Sequence, residues 1–248
     1  MNIALITGAS SGMGAELARL LSREGETDGF LLISRSEDRL QALASELDKP
    51  SNIIAIDITK REERDFLAQY LEKEQPNITY LINCAGVGHY GLFEETDCEK
   101  HINTVSLNCE ALTAVTYLAL PYMKKGARIV MLSSASAFLP QKKFSVYAAS
   151  KAYVLSFSRA LGAELKSRGI SVTVACPGPV ATDFMNTAYE GNIPAAKKKF
   201  CADCKDICEK IYKGAKKRKK VVVPTLSMKL VMIMSRIFPH SILMRFLK

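Results

Sequence analysis

In the run SVYAASK, Tyr147 and Lys151 stand four residues apart among small side chains and one valine. On a helix the two would share a face. A free phenol has a pKa of about 10, too high to exchange protons readily near neutrality, and an adjacent ammonium stabilises the phenolate and draws that value down. Such a phenol is the proton donor that a carbonyl oxygen needs when the carbon receives a hydride. Ala148, Ala149 and Ser150 would leave the face open to ligands. Alone the pair says little, because any helix carrying Tyr and Lys shows it by chance.

A second run, LITGASSGMGAEL, sets Gly8, Gly12 and Gly14 between an apolar segment and the helix after it. Gly8 suits the turn out of a strand, Gly12 a close approach of backbone to pyrophosphate, and Gly14 tight packing of helix on sheet. The helix start offers unpaired N–H groups and the positive end of its dipole to phosphates. A dinucleotide is the ligand these features suit. An acid ending the second strand would bind a ribose 2′-hydroxyl and repel a 2′-phosphate. That strand ends LLISRS instead, and Arg35 can pair with phosphate and stack on adenine. NADP(H) is favoured and NAD(H) stays open; a plain surface arginine is the competing reading.

The elements that must position these groups follow from apolar patterning. Strands are predicted at residues 2–7, 30–34, 52–57, 79–83, 127–134, 171–176 and 220–223. Helices are predicted from the glycine loop to about residue 24, from a Ser36 cap onward, and at 60–74, 97–124, 145–168 and 195–213. Fully apolar strands alternating with helices specify an α/β fold with a doubly wound parallel sheet. Residues 1–223 read as one domain, with 184–213 as its variable substrate side and 224–248 as a short apolar C-terminal extension.

In order and spacing the motifs resemble the short-chain dehydrogenase/reductase family over roughly residues 1–184. They are Thr7-Gly8-Ala9-Ser10-Ser11-Gly12-Met13-Gly14, Asp57, Asn83-Cys84-Ala85-Gly86, Asn108, Ser134, Tyr147 with Lys151, Pro177-Gly178 and Thr182. The resemblance implies a Rossmann fold and an enzyme interconverting a secondary alcohol and a ketone. It implies Tyr147 as general acid/base, Lys151 as its tuner and ribose ligand, Ser134 as holder of the substrate oxygen, and Asn108 as holder of a relay water. It places Asp57 at the adenine, Asn83, Ala85 and Gly86 along the adenosine, and Thr182 at the nicotinamide carboxamide. Ser10, Ser11, Met13, Ile58, Pro177, Gly178 and Val180 complete the expected cofactor contacts. It also implies a homo-oligomer paired through the helices at 97–124 and 145–168. Cys84 departs from the family's usual second asparagine, at a position that reads as structural. The rival reading is a nucleotide sensor or scaffold without turnover.

Composition bounds the rest. The chain has 248 residues, net charge +9 and seven cysteines. An odd, irregular cysteine set argues for a reducing compartment, and the opening residues do not read as a signal peptide, so cytoplasm is the expectation. Cys201, Cys204 and Cys208 would share a helix face packed on the domain; no histidine lies near enough in sequence to complete a metal site, and none is expected. His89 and His101 fall where a substrate pocket could be lined, though surface positions suit them better. The basic runs at 197–199 and 216–220 read as solvated surface or as a site for an anionic partner, with no base-reading module beside them. The tail from Leu226 is apolar and basic, interrupted by Pro239 and too charged to span a bilayer. It either packs over an apolar pocket or partner subunit, or lies in a membrane interface. Both readings imply a sizeable apolar substrate, such as a steroid, bile acid, fatty-acyl compound or other lipid ketone.

Overall fold

The computed structural model describes residues 1–194 and 201–246. Strands β1 (Asn2–Thr7), β2 (Gly29–Ser34), β3 (Ser51–Ala55), β4 (Asn77–Asn83), β5 (Arg128–Leu132), β6 (Ser171–Ala175) and β7 (Val221–Val222) form one parallel sheet. Their order is β3-β2-β1-β4-β5-β6-β7. Each strand after the first is reached by a crossover, so helices must cover both faces, and the strand centres carry apolar side chains toward both for that reason. Leu5, Leu31, Leu81 and Ile129 face one cluster, with Leu67, Val115 and Val154 from the helices. Ile6, Leu32, Ile82 and Val130 face the other, with Leu17, Leu40 and Ile211.

On the second face lie α1 (Gly12–Arg23), α2 (Glu37–Glu46) and α8 (Cys204–Lys216). Asp203 caps α8, accepting the Asp206 N–H at 3.0 Å. Ile207, Cys208, Ile211, Tyr212 and Ala215 form its buried face, while Asp206–Lys210 and Glu209–Lys213 pair on its exposed side. The predicted start of this helix at residue 195, and the lysine run at 197–199, lie outside the described residues. Cys201 precedes the helix and packs toward Phe144 and Tyr189, whereas Cys204 and Cys208 face the sheet, so the three do not share one face.

The first face carries α3 (Arg61–Glu74), α6 (Ser145–Glu164) and a composite element where one long helix is expected. That element is α4 (Cys98–Val105), a π-turn (Ser106–Ala111), α5 (Leu112–Ala119) and a 3₁₀ turn (Leu120–Tyr122). Pro121, lacking an N–H, fits the tightened end. The π-turn accompanies the bonds of the Asn108 side chain to the Val87 backbone. Helix α6 ends at Glu164, and turns continue to Gly169, whose φ of +69° closes them. Ser36 precedes α2 without capping it; its own N–H donates to Ser34 Oγ at 3.2 Å.

After α7 (Asp183–Ala188) and α8, the chain ends in α9 (Leu226–Ile237) and α10 (His240–Phe246), with Pro239 between them. Helix α9 lies against the 3₁₀ turn Ala135–Phe138 and sets Met228 and Met232 on the core. No described helix is long and apolar enough to cross a membrane.

Candidate active site

The strand order reverses between β1 and β4, and there a cleft of about 580 Å³ opens at the carboxyl ends of the strands. Gly8 makes the turn out of β1 at φ +66°, and a Cβ on it would lie 2.7 Å from Ala85 N. Loop and β4 end are therefore in backbone contact, tied further by Thr7 Oγ1, which accepts the N–H groups of Cys84 (3.2 Å) and Ala85 (3.3 Å). Gly14 faces inward, since its Cβ would fall 2.2 Å from Gly8 O. Ser10, Ser11, Gly12 and Met13 line the cleft. No side chain caps α1, which leaves its first N–H groups for an anion. This cradle fits a dinucleotide phosphate.

Farther along the wall, Asp57 accepts the Thr59 N–H (3.0 Å) and hydroxyl (2.7 Å). Burial alone would raise its carboxyl, but these bonds and nearby Arg35 hold it below the ordinary value. Arg35 is exposed, 4.0 Å from Asp57 Oδ2, and lines the cleft with Ile58. Ala85, Gly86, Pro177, Gly178, Val180 and Thr182 also line it. Asn83 does not: its Nδ2 donates to Thr116 Oγ1 at 2.9 Å inside the sheet layer. Successive residues at a strand end alternate in direction, so Cys84 takes the cleft position expected of Asn83.

Tyr147 and Lys151 lie on α6, both lining the cleft, with 7% and 4% of their surface exposed. Lys151 Nζ donates to Leu132 O at 2.9 Å and sits 5.7 Å from the centroid of the Tyr147 ring. Tyr147 bonds Ser134, two residues beyond β5. Ser134 Oγ also accepts the Ser136 N–H at 3.1 Å, so it caps the following 3₁₀ turn as well. Burial pushes the phenol up to about 12, opposed by the Ser134 bond. It pushes the Lys151 ammonium down to about 8. The expected lowering of the phenol by Lys151 is thus not realised within the protein alone. The ammonium is committed to a carbonyl, and desolvation by packed aromatic rings outweighs its distant charge.

Asn108 is fully buried in the π-turn. Its Nδ2 donates to Val87 O (2.8 Å) and Ser150 Oγ (2.9 Å), and its Oδ1 accepts the Val87 N–H (2.9 Å). It pins the loop after β4 to α6. One Oδ1 lone pair remains. A Cβ at Gly86 would lie 3.0 Å from Lys151 Nζ and 3.1 Å from Asn108 Oδ1, so both atoms converge on that glycine.

A sequence model of the family described as short chain dehydrogenase matches residues 2–192. The chain belongs to the short-chain dehydrogenase/reductase family. As a member, it is an oxidoreductase that uses a nicotinamide dinucleotide. This short-chain dehydrogenase/reductase is 31% identical over 182 residues to an uncharacterized oxidoreductase of Staphylococcus epidermidis, covering 73% of this chain and 78% of that one. An Arabidopsis thaliana protein named 11-beta-hydroxysteroid dehydrogenase-like 2 is 32% identical over 195 residues, 76% of this chain and 62% of that one. A short-chain dehydrogenase from Sphingobium yanoikuyae, in complex with NADPH, matches with a TM-score of 0.80 at 28% identity, covering 91% of this chain and 89% of that one.

Several residues at this dehydrogenase's site escape the motif reading. Arg39 joins Arg35 on the cleft wall and pairs with Asp183 at 3.5 Å. Phe144 stacks on Tyr147 with centroids 4.3 Å apart, and Phe184 stands 5.3 Å from the same ring. Gln141, Tyr189, Met228 and Val231 close the same end of the cleft. Of these, Phe144 precedes the SVYAASK run and Asp183 and Phe184 follow Thr182, whereas the others lie away from any motif. His89 and His101 lie outside the cleft lining; His101 stacks on Phe93 at 4.7 Å, while His89 Nδ1 is buried without a hydrogen bond among the described residues.

Proposed function

We propose that the chain is an NADP(H)-dependent oxidoreductase interconverting a secondary alcohol and a ketone on a sizeable apolar substrate. The carrying observation is that Tyr147, Ser134 and Lys151 open onto one cleft with the uncapped glycine loop at one end and Phe144, Phe184, Tyr189 and Met228 at the other. When bound, the nicotinamide would supply or accept the hydride. Ser134 Oγ would hold the substrate oxygen, and Tyr147 would give it a proton during reduction. A phenol pushed up to about 12 stays protonated at neutral pH, which suits the donor role. Lys151 has donors left after Leu132 O for the ribose hydroxyls, and Asn108 Oδ1 can hold a water beside it.

The 2′-phosphate preference rests on Arg35 and Arg39, two cations on a wall with no acid at the end of β2, and on the NADPH-bound relative. The apolar substrate rests on the aromatic end of the cleft and on the steroid dehydrogenase-like name of one relative. Consumption of NADPH against a panel of bulky ketones tests the reading. Tyr147→Phe should cost about 10²–10⁴-fold in turnover while still binding NADPH. Equal turnover in that variant would remove Tyr147 from the chemistry. Pairing of two copies is supported by Ile102, Val105 and Tyr117, exposed at 51%, 48% and 75% along α4 and α5. A single-chain mass in solution would exclude it.

A further inference from the structure

The chain's net excess of positive charge lies at one end. From Lys210 to Lys248 there are 11 lysines and arginines and no aspartate or glutamate, which leaves 23 basic and 25 acidic residues before them, a net charge of −2. That end also holds α9, whose two faces differ in role. Met228 and Val231 line the cleft, and a Cβ on Gly178 would lie 2.9 Å from Met228 Cγ, so this face is seated closely on the catalytic domain. On the opposite face Leu226, Leu230, Ile233 and Ile237 are exposed at 81%, 60%, 48% and 66%. Their spacing of four, three and four residues makes a single stripe along the helix. Phe238, Ile242 and Met244 extend the exposed apolar surface past Pro239. Lys229 and Arg236, both exposed and two turns apart, flank the stripe on one side.

We infer that α9 and α10 dock the enzyme on an anionic lipid bilayer, with the outer stripe in the headgroup–acyl boundary and the inner face holding the cleft at that surface. An interfacial helix needs an apolar stripe bordered by cations, and anionic lipid attracts the basic segment that leads into it. A second copy of the chain suits the face less well. It would bring two segments of the same sign together, with no acid in either to pair. The consequence for catalysis, that apolar substrate reaches the cleft from the lipid past Met228 and Val231, rests on the function proposed above; the docking does not.

The test is co-sedimentation of the full chain with vesicles of phosphatidylcholine alone and of phosphatidylcholine with phosphatidylglycerol. Partition onto the anionic vesicles should be higher by about tenfold or more and should weaken with salt. Leu230→Glu with Ile233→Glu should abolish partition while leaving mass in solution and NADPH-dependent reduction of a water-soluble ketone unchanged. Lys229→Gln with Arg236→Gln should reduce only the preference for anionic lipid. An apolar ketone supplied in vesicles should be reduced faster by the native chain than by the Leu230/Ile233 variant. Absence of partition onto either vesicle, or equal partition by the Leu230/Ile233 variant, overturns the proposal. So does a drop of that variant from dimer to monomer, which would make the stripe an interface between copies. Vesicle binding without turnover of any ketone would leave docking intact and remove the proposed reaction, and the converse would do the opposite.

Discussion

Replacing Gly88 by alanine should disable the site without touching the cofactor cradle. A Cβ there would lie 2.5 Å from Tyr147 Cδ2 and 2.9 Å from Cγ, where ordinary contact begins near 3.4 Å, so the ring must yield by about 0.9 Å. It cannot slide freely, because Phe144 is stacked 4.3 Å away on centroids and Phe184 stands at 5.3 Å. Misplacing a reacting group by about 1 Å costs roughly 10²-fold in rate, or about 2.7 kcal/mol of transition-state stabilisation. Overpacking should lower stability by about 1–3 kcal/mol. The assay is steady-state NADPH oxidation with a ketone substrate, beside cofactor binding by fluorescence and a thermal melt. The expected pattern is kcat down about 100-fold with the KM for NADPH unchanged. A kcat within twofold of the native value in a folded Gly88→Ala protein would refute the placement of Tyr147 at the reacting oxygen.

Cofactor choice and the buried amine give two further tests. Arg35→Glu combined with Arg39→Gln should raise the KM for NADPH by roughly 10–100-fold, since a hydrogen bond to a charged group contributes about 1.5–3 kcal/mol, and should affect NADH less. An equal loss with both cofactors would remove the 2′-phosphate contact. Lys151 titrates at about 8 in the folded chain against an ordinary 10.5. Between those values the unfolded chain keeps a proton that the folded chain has released, so Lys151 destabilises the fold most below about 8 and progressively less as pH rises toward 10.5. Buried Cys84, Cys109 and Cys176 act in the opposite sense at alkaline pH, so the reading is the stability difference between native and Lys151→Met. That difference should shift in favour of the native chain across the interval, and a flat difference would refute the burial of the amine.

Local pattern alone determined the alternation of apolar strands and helices, the glycine turn, the Tyr147–Lys151 helix face and the absence of an acid after β2. Each depends on neighbours within a turn or a strand, and such short-range rules are written in residue order. Tertiary contact decided what those residues meet. The π-turn forms where Asn108 reaches Val87, 21 residues earlier in the chain, a bond that no helical periodicity signals. Asn83 and Cys84 alternate at the end of β4, and only pairing of β4 with β1 and β5 decides which of them faces the cleft. The wall made by Met228 and Val231 comes from a segment that local patterning marks as apolar but cannot orient. The acidity of Tyr147 follows the same division: spacing supplies a cation one turn away, and burial among Phe144 and Phe184 outweighs it. Desolvation depends on everything packed around a group, and that is a property of the folded chain.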